Sequence, residues 1–122
     1  MRDQTDATAC SADLAMHELR AANKARHLEW WNGRPMSLAF RGVELAGETG
    51  EACNIIKKLE REGAGAVGTR ATMQSLAQEL ADVVICADLI AMDAGIDLAL
   101  AVRDKFNATS EKYDLTTRIR PS

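Results

Sequence analysis

Residues 76–95 read LAQELADVVICADLIAMDAG, and their pattern decides the fold. The run holds no proline and closes on Gly95, a usual helix-terminating residue. At about 100° per residue, Leu76, Val83, Cys86 and Ile90 share one side of a helix, and Glu79 and Asp82 fall on that same side. Two carboxylates therefore sit within the face expected to pack. Asp88 falls on the opposite side, a more usual place for a solvated charge.

The rest of the chain follows the same helical grammar. Alanine is abundant, Pro35 and Pro121 are the only prolines, and aromatic residues make up 4%. These features favour helix over strand. A first helix is expected from Ser11, as N-cap, to Trp31. Asn32-Gly33-Arg34-Pro35 breaks it. A second helix is expected over Met36–Arg61, then a loop over Glu62–Thr69 rich in glycine, then a third helix over Arg70–Ala94. Asp97 caps a fourth over Leu98–Tyr113, and residues 1–10 and 115–122 read as loose termini. The expectation is one all-α domain spanning 1–122, four-helix-bundle-like. Apolar residues on several sides of its helices point to a homo-oligomer.

Composition narrows the function. The 122 residues are 47% hydrophobic and 27% charged, with a net charge of -3. That balance argues against a nucleic-acid polymer as partner, because phosphate binding needs a basic surplus. No apolar run approaches the roughly 18 residues of a membrane span. The stretch Met1–Ser11 lacks the apolar segment of a secretory signal. Cys10, Cys53 and Cys86 are odd in number and widely spaced, so neither a disulfide framework nor a paired zinc motif is expected, and a reducing cytoplasm is.

A second acidic stretch lies upstream. Residues 44–51 read ELAGETGE, which places Glu44, Glu48 and Glu51 on one stripe of the second helix. The stripe borders an apolar side formed by Leu38, Leu45, Ala52, Ile56 and Leu59, with Arg41 and Lys58 nearby. Carboxylates on a packing face lose hydration and repel one another. A hard divalent cation such as Mg²⁺ reverses that account, since carboxylate oxygens supply both ligands and charge. The expected arrangement has two helices face to face, with acids from both meeting at one metal. Glu18, Glu29, Glu60, Glu62 and Asp88 are expected to be solvated, or paired with Lys or Arg across a turn. Asp93 shares the stripe of Asp82 but lies about 16 Å along the helix, beyond reach of the same metal. His17 and His27 read as structural or surface residues, and Cys53 and Cys86 as small apolar ones.

At "GETGEAC" and "QELADVV" the sequence resembles the MazG-like nucleotide pyrophosphohydrolases of the all-α NTP pyrophosphatase superfamily. Their signature is a glutamate-rich helix with three-residue spacing, followed by Glu-x-x-Asp on a later helix. The matching residues are Glu48 and Glu51, then Glu79 and Asp82, and the likeness runs from about Arg26 to Tyr113. Many members carry adjacent glutamates where Gly47 precedes Glu48; Glu44, one turn earlier, is placed to supply the missing carboxylate.

The resemblance implies hydrolysis of a nucleoside triphosphate between its α and β phosphates, releasing a nucleoside monophosphate and pyrophosphate. It implies Mg²⁺, or Mn²⁺ in its place, on Glu48, Glu51, Glu79 and Asp82, with Glu44 or Glu48 as the base. It also implies phosphate or sugar contacts from Lys105, Asn107 and Lys112, and base stacking by Trp30 or Trp31. Arg41 and Lys58 stand as phosphate contacts or as ion partners of the acids. A homodimer or homotetramer is implied as well. Two other classes compete. A di-iron carboxylate bundle needs Glu-x-x-His motifs, which this chain lacks. A non-enzymatic helical interaction protein with an acidic surface needs its acids exposed.

Overall fold

The structure is a computed structural model that describes residues 13–68 and 70–121. It is all-helical, with four helices and no strand among the described residues: α1 Met16–Trp31, α2 Leu38–Gly63, α3 Met73–Ala94 and α4 Leu98–Lys112. Among the described residues, no helix is long and apolar enough to cross a membrane.

Local chemistry sets the boundaries. Residues 13–15 are not helical and α1 begins at Met16, later than expected; the Ser11 cap lies outside the described residues. Asn32 ends α1 in the left-handed region at φ 52°, and Gly33 follows at φ 72°. The Ser37 hydroxyl then accepts from Phe40 N–H at 3.1 Å, which fixes the start of α2 at Leu38 rather than Met36. A reciprocal cap places the start of α3 at Met73 rather than Arg70. Thr72 accepts from Ser75 N–H and Ser75 accepts from Thr72 N–H, each at 3.0 Å. Gly95 stops α3 at φ 70°, and the Asp97 carboxylate accepts from Leu100 N–H at 3.1 Å to start α4. Both were expected from the sequence.

Helices α2 and α3 form the main packed pair. They run antiparallel, since Arg41 meets Asp93, Glu51 neighbours Glu79, and Glu62 reaches Ala71. Helix α1 lies antiparallel along α3, with Arg20 on Asp88 and the Ile96 carbonyl, and Asn23 on Asp88 and the Ile85 carbonyl. Helix α4 packs sparsely, on α1. Beyond it, Asn107 donates to the Ile119 carbonyl and accepts from Ile119 N–H, at 2.9 and 2.8 Å, so the terminal stretch is pinned at one point rather than loose along its length.

The buried set is mostly polar. Among the described residues, Ala52 and Ala91 are the buried apolar ones, beside Asn23, Arg41, Asp88 and Ser110. Leu45, Leu59, Leu76, Val83, Cys86 and Ile90 are half-buried along the α2–α3 seam. Leu38, Val43, Ile56, Leu80, Val84, Val102 and Phe106 are exposed. Leu38 and Ile56, expected on the packing face of α2, thus stay uncovered in the single chain.

Candidate metal centre

The α2–α3 seam brings three carboxylates together. Glu48 and Glu51 lie one turn apart on α2, and the antiparallel register sets Glu79 of α3 opposite them. One oxygen from each lies within 4.8 Å of the others. Glu48 and Glu79 are half-buried, while Glu51 is exposed. Glu48 Oε2 and Glu79 Oε2 are both shielded from solvent and find no hydrogen-bond partner among the described residues.

The electrostatics follow from that crowding. Burial raises the Glu48 carboxyl above its ordinary value, and the charges of Glu51, Asp82 and Glu44 add to the effect. Burial also raises Glu79, joined by the adjacent carboxyl of Glu51, then the charges of Glu48 and Asp82. Cys86 faces the same field: burial raises its thiol, Glu44, Glu48 and Asp82 raise it further, and Arg41 partly offsets them. Asp82 is therefore an electrostatic neighbour of the group but lies outside its three-oxygen cluster. Two orphaned oxygens among like charges fit a divalent cation, which would supply both missing partner and missing charge.

Beside this cluster lies a small cavity lined by Trp30, Trp31, His27, Arg41, Glu44 and Leu89, among others. Trp30 stacks on Trp31 with centroids 6.4 Å apart, and Trp31 meets the edge of Phe40 at 5.9 Å. Trp30 is 72% exposed. Glu44 touches both regions, lining the cavity and acting on the Glu48 carboxyl.

Arg41 is not a free phosphate contact. Its side chain is 3% exposed and engaged on all three nitrogens: Nε to Asp93 Oδ2 at 2.8 Å, Nη1 to Glu44 at 3.5 Å, and Nη2 to His27 Nδ1 at 3.2 Å. It is the acids' ion partner. Lys58 is half-buried on α2 and makes no ion pair among the described residues. On α4, Lys105 is exposed beside Phe106, Asn107 is committed to Ile119, and Lys112 lies over the Tyr113 ring at 5.3 Å. Within one chain, none of the three bonds to the carboxylate group.

Two acids expected to be solvated or paired across a turn are instead held by another helix or its N-terminal backbone. Asp88 is 1% exposed because α1 covers that side of α3 and presents Arg20 and Asn23 to it. Glu62 accepts from Ala71 N–H at 2.7 Å, tying the end of α2 to the start of α3. Glu18, Glu29 and Glu60 are exposed as expected. His27, expected as a structural or surface residue, lines the aromatic cavity; its spacing of three and four residues from Trp30 and Trp31 is the signal that places it there. Comparison with protein-family models, with curated proteins and with solved structures finds no match.

Proposed function

We propose that this chain is a Mg²⁺-dependent nucleoside triphosphate pyrophosphohydrolase of the MazG-like kind, cleaving between the α and β phosphates. The observation that carries the reading is the convergence of Glu48, Glu51 and Glu79 across α2 and α3, with two oxygens left unpartnered. Asp82 completes the proposed ligand set from the next turn of α3. When bound, Mg²⁺, or Mn²⁺ in its place, supplies neutralisation of phosphate charge and orientation of a water. Glu44 or Glu48 accepts that water's proton as its oxygen bonds to the α-phosphorus and the bridging oxygen departs with pyrophosphate. Trp30 offers an exposed indole face for the base.

The reading includes self-association into a homodimer or homotetramer. Two buried alanines are a small apolar core for four helices, and exposed Leu38, Ile56, Val84, Val102 and Phe106 supply apolar surface for a partner copy. Sedimentation at micromolar concentration tests this, and a monomeric mass refutes it. A reducing cytoplasm is part of the same reading, in keeping with the free thiols of Cys53 and Cys86.

The decisive experiment incubates the purified protein with a panel of NTPs and dNTPs and identifies the products. Pyrophosphate and a monophosphate should appear with Mg²⁺, and Glu79→Ala and Asp82→Ala should abolish them. Silence of the wild type across the panel with both Mg²⁺ and Mn²⁺ overturns the proposal.

A further inference from the structure

We propose that His27 is a specificity-determining residue, donating a hydrogen bond from Nε2–H to a carbonyl oxygen of the base in the tryptophan-lined cavity. The inference rests on the nucleotide reading above and adds to it a residue that neither the acidic motifs nor the resemblance marks.

The first step concerns the tautomer. A guanidinium only donates hydrogen bonds. The 3.2 Å contact between Arg41 Nη2 and His27 Nδ1 therefore requires a lone pair on Nδ1. The ring is neutral there, and its proton sits on Nε2. Arg41 cannot swing away to relieve this, being buried and held by Asp93 at 2.8 Å and Glu44 at 3.5 Å. One buried cation thus fixes both the orientation and the tautomer of the imidazole.

The second step concerns where the remaining donor is used. Among the described residues, no acceptor takes the Nε2 proton, and His27 lines the cavity with Trp30 and Trp31. That cavity has a volume of about 90 Å³. Whole ligand sites usually run to roughly 300–1,000 Å³, so this one receives a single ring or polar group rather than an entire nucleotide. Indole faces recognise any flat base. A single oriented donor at the edge selects for an acceptor, and a site built to satisfy a hydrogen bond rejects ligands that lack it. Uracil, thymine, cytosine and guanine carry carbonyl oxygens; adenine carries none.

The test uses tryptophan fluorescence to follow binding of UMP, dTMP, CMP, GMP and AMP to the full chain in the presence of Mg²⁺. Asparagine reproduces the acceptor at Nδ1 but does not reach the position of Nε2, whereas glutamine does reach it. We expect carbonyl-bearing monophosphates to bind tighter than AMP, with affinity for the best of them falling about tenfold in His27→Asn and changing less than about threefold in His27→Gln. Long-range proton–nitrogen NMR provides a readout free of ligand. The chain has two histidines, His17 and His27, and the His27 ring should report the Nε2–H tautomer. Wild-type affinity in His27→Asn, or a proton on Nδ1 in the free protein, overturns the proposal. Binding of the monophosphates without cleavage of any triphosphate defeats the proposed reaction and leaves the His27 assignment standing. Failure of the wild type to bind any of the five defeats the His27 assignment, while the triphosphate panel decides the reaction by itself.

Discussion

Arg41 Nε donates to Asp93 Oδ2 at 2.8 Å, joining the first turn of α2 to the last turn of α3. The bond locks the register that also sets Glu79 opposite Glu48 and Glu51. Its position is telling, because a buried guanidinium needs partners and this one takes them from three sources. Asp93 supplies the shortest of the three contacts, Glu44 lies across a turn, and His27 reaches in from α1. One residue thereby couples the helix seam, the aromatic cavity and the acid stripe.

Asp93→Ala should cost about 2–3 kcal/mol. It leaves the Arg41 charge buried, with only the longer Glu44 contact and a neutral imidazole to answer it. Urea unfolding checks this as a lower midpoint with an unchanged slope. The pair Arg41→Met with Asp93→Leu should cost less than the two single changes added together, since no buried charge is then stranded.

Without metal, stability should fall as pH rises above the ordinary carboxyl value of 4.5. Glu48 and Glu79 have folded-state values raised above it, so the unfolded chain surrenders those protons first. Their protonated forms favour the fold fully below 4.5, and the benefit is lost as pH climbs through the raised values. Saturating Mg²⁺ should reverse the trend, because it binds the ionised forms. At roughly 100 times its Kd the ion adds about 2.7 kcal/mol. Melting curves between pH 4.5 and 8, with Mg²⁺ or EDTA, measure both slopes.

Glu79→Gln should raise the melting temperature of the metal-free protein at pH 7 and remove most of its response to Mg²⁺. The amide keeps the shape of the side chain, deletes one of the crowded charges and provides a donor for the neighbouring Glu51 carboxyl. A stabilised variant with lost metal response separates a binding cluster from acids that serve only the fold. Differential scanning calorimetry with and without Mg²⁺ reads both effects in one pair of experiments.

The four helices and the two acid stripes were legible because each follows from spacing along one helix; that Glu79 rather than Asp82 closes on Glu48 and Glu51 depends on how the two helices pack. Three-residue intervals put Glu48 near Glu51 whatever the tertiary packing, and Gly95 and Asp97 mark a stop and a start in their own backbone. What spacing does not contain is the identity of the neighbour on each face. Asp88 lies opposite the α2-facing side of α3, as its phase requires, and solvent was the natural expectation there. It is buried because α1 covers that side with Asn23 and Arg20 in place. Arg41 hides for the same reason: nothing in α2 alone tells that Asp93 and His27 converge on it. The helix onset at Met73 rather than Arg70 has a smaller cause, a Thr72–Ser75 reciprocal cap that outweighs generic helix propensity.

Asp88→Ala should therefore behave unlike a surface change and cost about 3–5 kcal/mol. It removes a buried carboxylate that holds Arg20 and Asn23 from α1, leaving a nearly buried amide and a partly buried cation without their partner. Amide hydrogen exchange should show protection falling first along α1, the helix those bonds attach.

Glycine-to-alanine changes should carry opposite signs at two positions. Gly95 has φ 70°, so a Cβ there is strained even though nothing lies within 4 Å of it, and Gly95→Ala should cost about 1 kcal/mol. Gly42 lies inside α2, where an added methyl would meet no described atom within 4 Å beyond its own stretch of helix. In ordinary helical backbone the methyl restricts the unfolded chain more than the folded one, so Gly42→Ala should add about 0.5–1 kcal/mol. If a partner copy approaches α2 closely at Gly42, that gain should shrink or reverse as protein concentration rises. Thermal melts of both variants across a hundredfold range of concentration thus measure the two backbone effects and test whether this face of α2 is covered in the assembly.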